Sequence, residues 1–275
     1  DWRTRGCRST GSTSWRVSPG ASAGIGRAIA QQLAAAGVDL VLVARNGDRL
    51  GDLARDLRAD GAGPEVEVLE ADLCDPDGLA AVEKRVVAEE VPIDLLVNNA
   101  GLGYEGPFHA QDASEVWETI GVNVMALVRL THAALKTMVD RGRGHVVLVS
   151  SMASLQGMPM TAVYSATKAF ITSFGEAVYE EHKGTDVGVT TVLPGLTRTE
   201  FHERGRWSLD KWPSVGWQDA DEVAAETLAA AARSRPEVVT GRINRVLAVL
   251  SGVSPRRIRR TLIGQAARRA WPESS

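Results

Sequence analysis

From about residue 20 onward, short β-branched runs alternate with stretches of helical period, and this alternation limits the fold more than any other feature. Val38-Asp-Leu-Val-Leu-Val-Ala44 reads as a buried strand. So do Glu65-Val-Glu-Val-Leu69, Asp94-Leu-Leu-Val97, His145-Val-Val-Leu-Val149 and Val187-Gly-Val-Thr-Thr-Val192. Between them Ile25 to Ala36 and Leu79 to Val91 carry helical spacing. Strands separated by helices build βαβ units and a parallel sheet. Continuous apolar runs suit a sheet covered on both faces. The predicted class is therefore α/β, a doubly wound parallel sheet flanked by helices. A chain of 275 residues suits one large domain of this kind, placed here at residues 18–250.

Composition excludes several functions. A formal net charge of −3 gives no general attraction to nucleic acid or anionic lipid. No run of about 18 apolar residues is present, so no transmembrane span is predicted. The start of the chain lacks the charged, apolar and small-residue sequence of a secretory signal. With only Cys7 and Cys74 there is no disulfide framework, and a cytoplasmic setting is expected. His109, His132, His145, His182 and His202 show no metal-ligand spacing, so no protein-held metal is expected.

Three regions break the pattern. Residues 1–17 are rich in Arg, Ser, Thr and Gly and do not read as a clean strand. Residues 202–218 hold Trp207, Trp212 and Trp217 among Gly, Pro and charges, and read as a lid over a substrate pocket. The extension 251–275 carries six arginines between Pro255 and Arg269, spaced around Ile258, Leu262 and Ile263. That pattern predicts a basic amphipathic helix packed on the domain. A membrane-surface or partner-binding helix is the rival reading.

Pro19-Gly-Ala-Ser-Ala-Gly-Ile-Gly26 opens the first helix. Gly20, Gly24 and Gly26 let backbone approach a pyrophosphate, and the helix beyond offers free N–H groups and its positive dipole end. At the end of the second strand, Arg45 follows Ala44, where an NAD enzyme carries an acid for the ribose 2′-hydroxyl. A guanidinium there suits the 2′-phosphate of NADP instead. Tyr164-Ser-Ala-Thr-Lys168 places a phenol and an ammonium on one helix face. A nearby cation favours the phenolate and lowers its pKa. Each motif alone has a plainer reading: a glycine turn, a strand-ending arginine, a surface Tyr–Lys pair.

The spacing G-x-x-x-G-x-G followed by Y-x-x-x-K resembles the classical short-chain dehydrogenase/reductase family over residues 18–201. The resemblance implies a single Rossmann-type domain and an NADP(H)-dependent oxidoreductase that interconverts a carbonyl and an alcohol. It implies a catalytic set of Asn123, Ser151, Tyr164 and Lys168, with Ser151 thirteen residues before Tyr164. Tyr164 is expected as general acid, Ser151 as a donor to the substrate oxygen and Lys168 as the group that lowers the Tyr164 pKa. Asn123 is expected to position Lys168. The cofactor contacts implied are Gly20, Ser22, Gly24, Ile25, Gly26, Arg45, Asp72, Leu73, Asn99, Ala100, Gly101, Tyr164, Lys168, Pro194, Gly195 and Thr199. A small carbonyl or alcohol substrate and a homo-dimer or homo-tetramer are also implied. A non-catalytic NADP(H)-binding regulatory protein on the same fold is the alternative.

One departure from the family pattern stands out. Pro19 occupies the family's threonine position, and Thr13-Ser-Trp-Arg-Val-Ser18 precedes it instead of an apolar strand. Proline cannot donate a backbone bond within a central strand, so poor pairing is expected here. Codons for Trp15–Gly20 read two bases later give Ala-Gly-Val-Thr-Gly, which restores the pattern. The segment is therefore read as a frameshift.

Overall fold

The computed structural model describes residues 15–58, 63–212 and 215–271. Seven parallel strands form the main sheet. They are β1 (Trp15–Pro19), β2 (Asp39–Ala44), β3 (Val66–Glu70), β4 (Ile93–Asn98), β5 (Gly144–Val149), β6 (Val187–Leu193) and β9 (Glu237–Val239). Their spatial order is β3-β2-β1-β4-β5-β6-β9. Two short segments, β7 (Thr197–Arg198) and β8 (Gln218–Asp219), pair separately. The chain first winds outward from β1 to β3, then returns to lay β4 beside β1. That reversal opens a crevice at the carboxyl ends of β1 and β4, where open α/β sheets take ligands.

Period-two alternation builds a core on each face. Val41, Val43 and Leu96 pack to one side, with α3 (Pro76–Val86), α5 (Leu127–Arg141) and α6 (Ala162–His182). Leu40, Leu42, Leu95 and Val97 pack to the other, with α1 (Gly24–Ala35), α2 (Gly47–Arg58) and α8 (Ala220–Ala231). This is the doubly wound arrangement expected from the unbroken apolar runs. The helix expected over Leu79–Val91 is shifted: Asp75 caps its start by accepting from the Gly78 N–H, and it ends at Val86. Pro92 lies beyond that end. Pro disfavours helix in the residue before it and cannot continue one.

The expectation of a poorly formed first strand is corrected. Trp15–Pro19 pairs along β2 over its whole length and also along β4. Pro19 is the last residue of the strand, so its missing N–H costs little. The Gly20 and Ala21 amides both donate to the Val43 carbonyl immediately afterwards. The departure appears in the side chains instead: Arg16 and Ser18 are buried within the central strand, and the Ser18 hydroxyl has no partner. Residues 1–14, including Cys7 and most of the irregular segment, lie outside the described residues.

Beyond the sheet, α4 (Ala113–Ile120) runs into α5 through a π-helical turn, Gly121–Ala126. A short α7 (Phe201–Arg204) follows β7. The basic extension forms α10 (Arg256–Ala270), preceded by α9 (Arg242–Val253). Among the described residues, no helix is long and apolar enough to cross a membrane. Nor does any group of three or more His, Cys, Asp or Glu among them sit where it could hold a metal.

Candidate active site

A cavity of about 560 Å³ opens over the carboxyl ends of β1, β4, β5 and β6. The glycine turn forms one wall. Gly20 and Gly24 have φ of +79° and +54°, conformations that favour glycine. A Cβ on Gly20 would lie 2.9 Å from the Ala100 Cα, and one on Gly24 would lie 2.9 Å from the Thr199 methyl. The Asn99 amide donates to the Gly20 carbonyl at 3.2 Å, tying the turn to the end of β4. Helix α1 begins at Gly24 with no side-chain cap. Its first N–H groups are thus available to an anion, as a dinucleotide pyrophosphate requires.

Of the expected cofactor residues, Gly20, Ser22, Gly24, Ile25, Asn99, Ala100, Gly101, Tyr164, Lys168, Pro194, Gly195 and Thr199 line this cavity. Gly26, Arg45, Asp72 and Leu73 do not. Gly26 packs behind the turn, where a Cβ would collide with the Gly20 carbonyl and Asn99. Arg45 donates to Glu118 at 3.0 Å, and Asp72 accepts from the Cys74 N–H at 2.9 Å.

The polar cluster is assembled by β5 and α6. Ser151 follows β5, and its hydroxyl accepts from the Ala153 N–H at 3.1 Å. It also faces the Tyr164 phenol, whose pKa it lowers. The Lys168 ammonium lies one turn along α6, donates to the Val149 carbonyl at 2.8 Å and sits 5.7 Å from the Tyr164 ring centre. Ser150 fixes that turn by donating to the Lys168 carbonyl at 2.8 Å.

Asn123 lies fully buried in the π-helical turn, a distortion frequent at functional sites. Its Oδ1 accepts from the Leu102 N–H, and its Nδ2 donates to the Leu102 carbonyl and the Thr167 hydroxyl. Thr167 in turn donates to the Tyr164 carbonyl at 2.8 Å. A Cβ on Gly101 would lie 3.4 Å from the Lys168 ammonium and 3.5 Å from Asn123 Oδ1, so these three residues form one floor.

The electrostatics differ from the sequence expectation in one respect. Burial pushes the Tyr164 phenol up to about 12, and Ser151 only partly opposes this. Burial also pulls the Lys168 ammonium down to about 8. Lys168 does not depress the phenol here, because burial leaves the lysine neutral before the phenol ionises. At neutral pH the phenol keeps its proton and most of the lysine remains charged.

The other wall is aromatic. Phe201 and Trp207 stand 5.4 and 5.6 Å from the Tyr164 ring, and Trp212 stacks on Trp207 at 4.9 Å. The indole N–H groups of Trp207 and Trp212 donate to Gly103 and Glu105, each at 2.8 Å. From the 202–218 segment, His202, Arg204, Gly205, Trp207, Trp212 and Val215 line the cavity, and Trp217 does not. Sequence reasoning missed the contribution of α9 and α10, whose Leu247, Leu250, Leu262 and Ile263 complete the lining. An apolar stripe on α9 was the available signal.

A parallel doubly wound sheet, a glycine turn at the start of α1 and a buried Tyr–Lys pair beside Ser151 together define the class, an α/β protein of Rossmann type. The family model for short chain dehydrogenase matches residues 17–208. The chain belongs to that family. It is 30% identical over 201 residues to the very-long-chain 3-oxoacyl-CoA reductase of Mus musculus, a match covering 72% of this chain and 64% of that protein. It is 31% identical over 232 residues to dehydrogenase/reductase SDR family member 7B of Mus musculus, covering 81% and 72%. Among solved structures, it resembles a short-chain dehydrogenase from Sphingobium yanoikuyae in complex with NADPH. That similarity has a TM-score of 0.78 at 35% identity, covering 91% of this chain and 95% of the other. The chain spans slightly less than two thirds of the length of the 3-oxoacyl-CoA reductases it matches.

Proposed function

We propose that this protein is an NADP(H)-dependent oxidoreductase that interconverts a carbonyl and a secondary alcohol. The observation that carries the reading is that Ser151 and the buried Tyr164 and Lys168 line one cavity together with the glycine turn. A bound nicotinamide dinucleotide supplies hydride to the carbonyl carbon. Gly20, Ser22, Gly24 and Ile25 would hold its pyrophosphate against the start of α1. Asn99, Ala100, Gly101, Pro194, Gly195 and Thr199, which line the same cavity, would surround the rest of the cofactor.

The residues then act on the substrate oxygen. Ser151 donates a hydrogen bond that strengthens as negative charge develops. Tyr164, protonated at neutral pH because burial raises it to about 12, gives its proton to the alkoxide as general acid. Lys168 supplies the compensating charge and binds ribose hydroxyls. Asn123 and Thr167 act as positioning residues by fixing the turn of α6 from which Tyr164 and Lys168 project. NADP preference rests on Arg45 and the absent acid at Ala44; Arg45 exchanges its Glu118 contact for the 2′-phosphate.

The aromatic and aliphatic lining supports a bulky apolar carbonyl substrate. A structurally similar protein, from Comamonas testosteroni, is described as a bulky-bulky ketone specific alcohol dehydrogenase, at 29% identity and a TM-score of 0.74. Exposed Trp117, Met125 and Phe170, on or beside α4–α6, support a self-associating enzyme. The test is NADPH consumption across a panel of ketones, aldehydes and 3-oxoacyl thioesters. Turnover of the bulky apolar members is expected, and no consumption with any member contradicts the proposal.

A further inference from the structure

The cavity continues past Ser151 and Tyr164 to α10, where Arg259 joins its lining. This arginine is held by one arm. Its Nη1 donates to the Leu155 carbonyl at 3.0 Å and to the Ser251 hydroxyl at 2.9 Å. Its Nε is buried without an acceptor among the described residues. No carboxylate among the described residues lies within ion-pair distance of it, whereas Arg45, Arg204, Arg206 and Arg245 each have one.

The rest of the cavity, among the described residues, does not supply the missing charge: no Asp or Glu of these lines it. Of the other two lining cations, Arg204 is paired with Glu200 and Lys168 belongs to the polar cluster. The indole N–H groups of Trp207 and Trp212 are already spent on Gly103 and Glu105. Leu247, Leu250, Leu262 and Ile263 around Arg259 are apolar. A guanidinium partly withdrawn from water among such groups is costly without an anion. With Nη1 engaged, the donors left are those of Nε and Nη2, which share one edge of the planar fork. That edge matches the two oxygens of a carboxylate.

We infer that the substrate is an apolar carbonyl compound bearing a carboxylate, read by the Nε–Nη2 edge of Arg259 while the carbonyl lies at Ser151 and Tyr164. The placement of the carbonyl rests on the oxidoreductase proposal above; the carboxylate site does not. Leu155, which anchors Arg259, ends the 3-10 turn Met152–Leu155 that follows Ser151.

The test uses binding, so it stands apart from turnover. Decanoate and 1-decanol, neither of which a hydride donor reduces, are titrated into the full chain with NADPH present. Tryptophan emission is the signal, since Trp207 and Trp212 line the cavity. Decanoate is expected to bind about tenfold more tightly than decanol or better, as a charge-assisted bidentate contact allows. Arg259→Gln is expected to bring the two ligands within about twofold, and Arg259→Lys to keep part of the preference as a point charge. The wild-type comparison needs no variant, so an unfolded Arg259→Gln protein does not block the test. Equal binding of both ligands by the wild type overturns the inference. So does a carboxylate preference that survives unchanged in Arg259→Gln. A chain that prefers decanoate but reduces no carbonyl keeps this site and loses the oxidoreductase reading.

Discussion

Gly26→Ala and Gly51→Ala make the same chemical change in two helices and are expected to act in opposite directions. Both positions gain helix propensity, about 1 kcal/mol for Ala over Gly. At Gly51 nothing lies within 4 Å of the new methyl group, so the gain stands. At Gly26 the methyl would sit well under 3.0 Å from the Gly20 carbonyl oxygen and the Asn99 amide nitrogen. Relieving that overlap costs about 1–3 kcal/mol. Displacing Asn99 also forfeits its 3.2 Å hydrogen bond to Gly20, about 1 kcal/mol more. Gly26→Ala should therefore lose about 1–3 kcal/mol net, a Tm lower by roughly 3–10 °C for a chain of this size. Gly51→Ala should raise Tm by about 1–4 °C. Thermal unfolding followed by circular dichroism reads both. A fluorescence titration should also show NADPH affinity down about tenfold in Gly26→Ala, because the turn that meets the pyrophosphate has moved. A Gly26→Ala protein as stable as wild type, with unchanged NADPH affinity, refutes the reasoning.

Three further outcomes are expected. Arg45→Ala should raise KM for NADPH about tenfold or more and leave NADH within about twofold; equal shifts remove the 2′-phosphate role. Glu105→Ala frees the Trp212 and Trp271 indoles and the Ser208 amide, so tryptophan emission should shift to the red and KM for a bulky substrate should rise with kcat nearly unchanged. An unshifted spectrum would count against Glu105 as the anchor of this wall. Burial holds the His145 imidazole down at about 4, whereas an unfolded chain takes up that proton near 6.5. Its contribution to stability is full above about pH 6.5 and lost as pH falls to about 4. Partial exposure limits the loss to roughly 2 kcal/mol or less. Urea titrations at several pH values check this, and His145→Asn should flatten the slope.

The doubly wound sheet was legible because its strands are buried on both faces, so runs such as Leu40–Ala44 and Val146–Val149 stay apolar throughout. The phosphate turn was legible from glycines whose spacing answers to positive φ and close backbone approach. β1 was misread because main-chain pairing does not depend on side-chain polarity. Ser18 and Arg16 sit in a fully paired strand, and Pro19 falls at its end. The direction of the Tyr164 pKa was not readable, since spacing places a cation nearby but does not reveal how far both groups are desolvated. The apolar stripe on α9 signals a face that packs, but its place in the cavity depends on long-range contacts, such as Arg259 with Leu155 and Trp271 with Glu105, that no local pattern encodes.

The central claim is that the Tyr164 hydroxyl moves the proton. Its most direct test is the turnover of Tyr164→Phe, at saturating NADPH, on the best carbonyl substrate of the panel. The phenyl ring keeps the packing against Phe201 and Trp207, so folding and cofactor affinity should be preserved. The account predicts kcat lower by about 100- to 10,000-fold with an unchanged NADPH Kd. Near-normal turnover in that variant would contradict it.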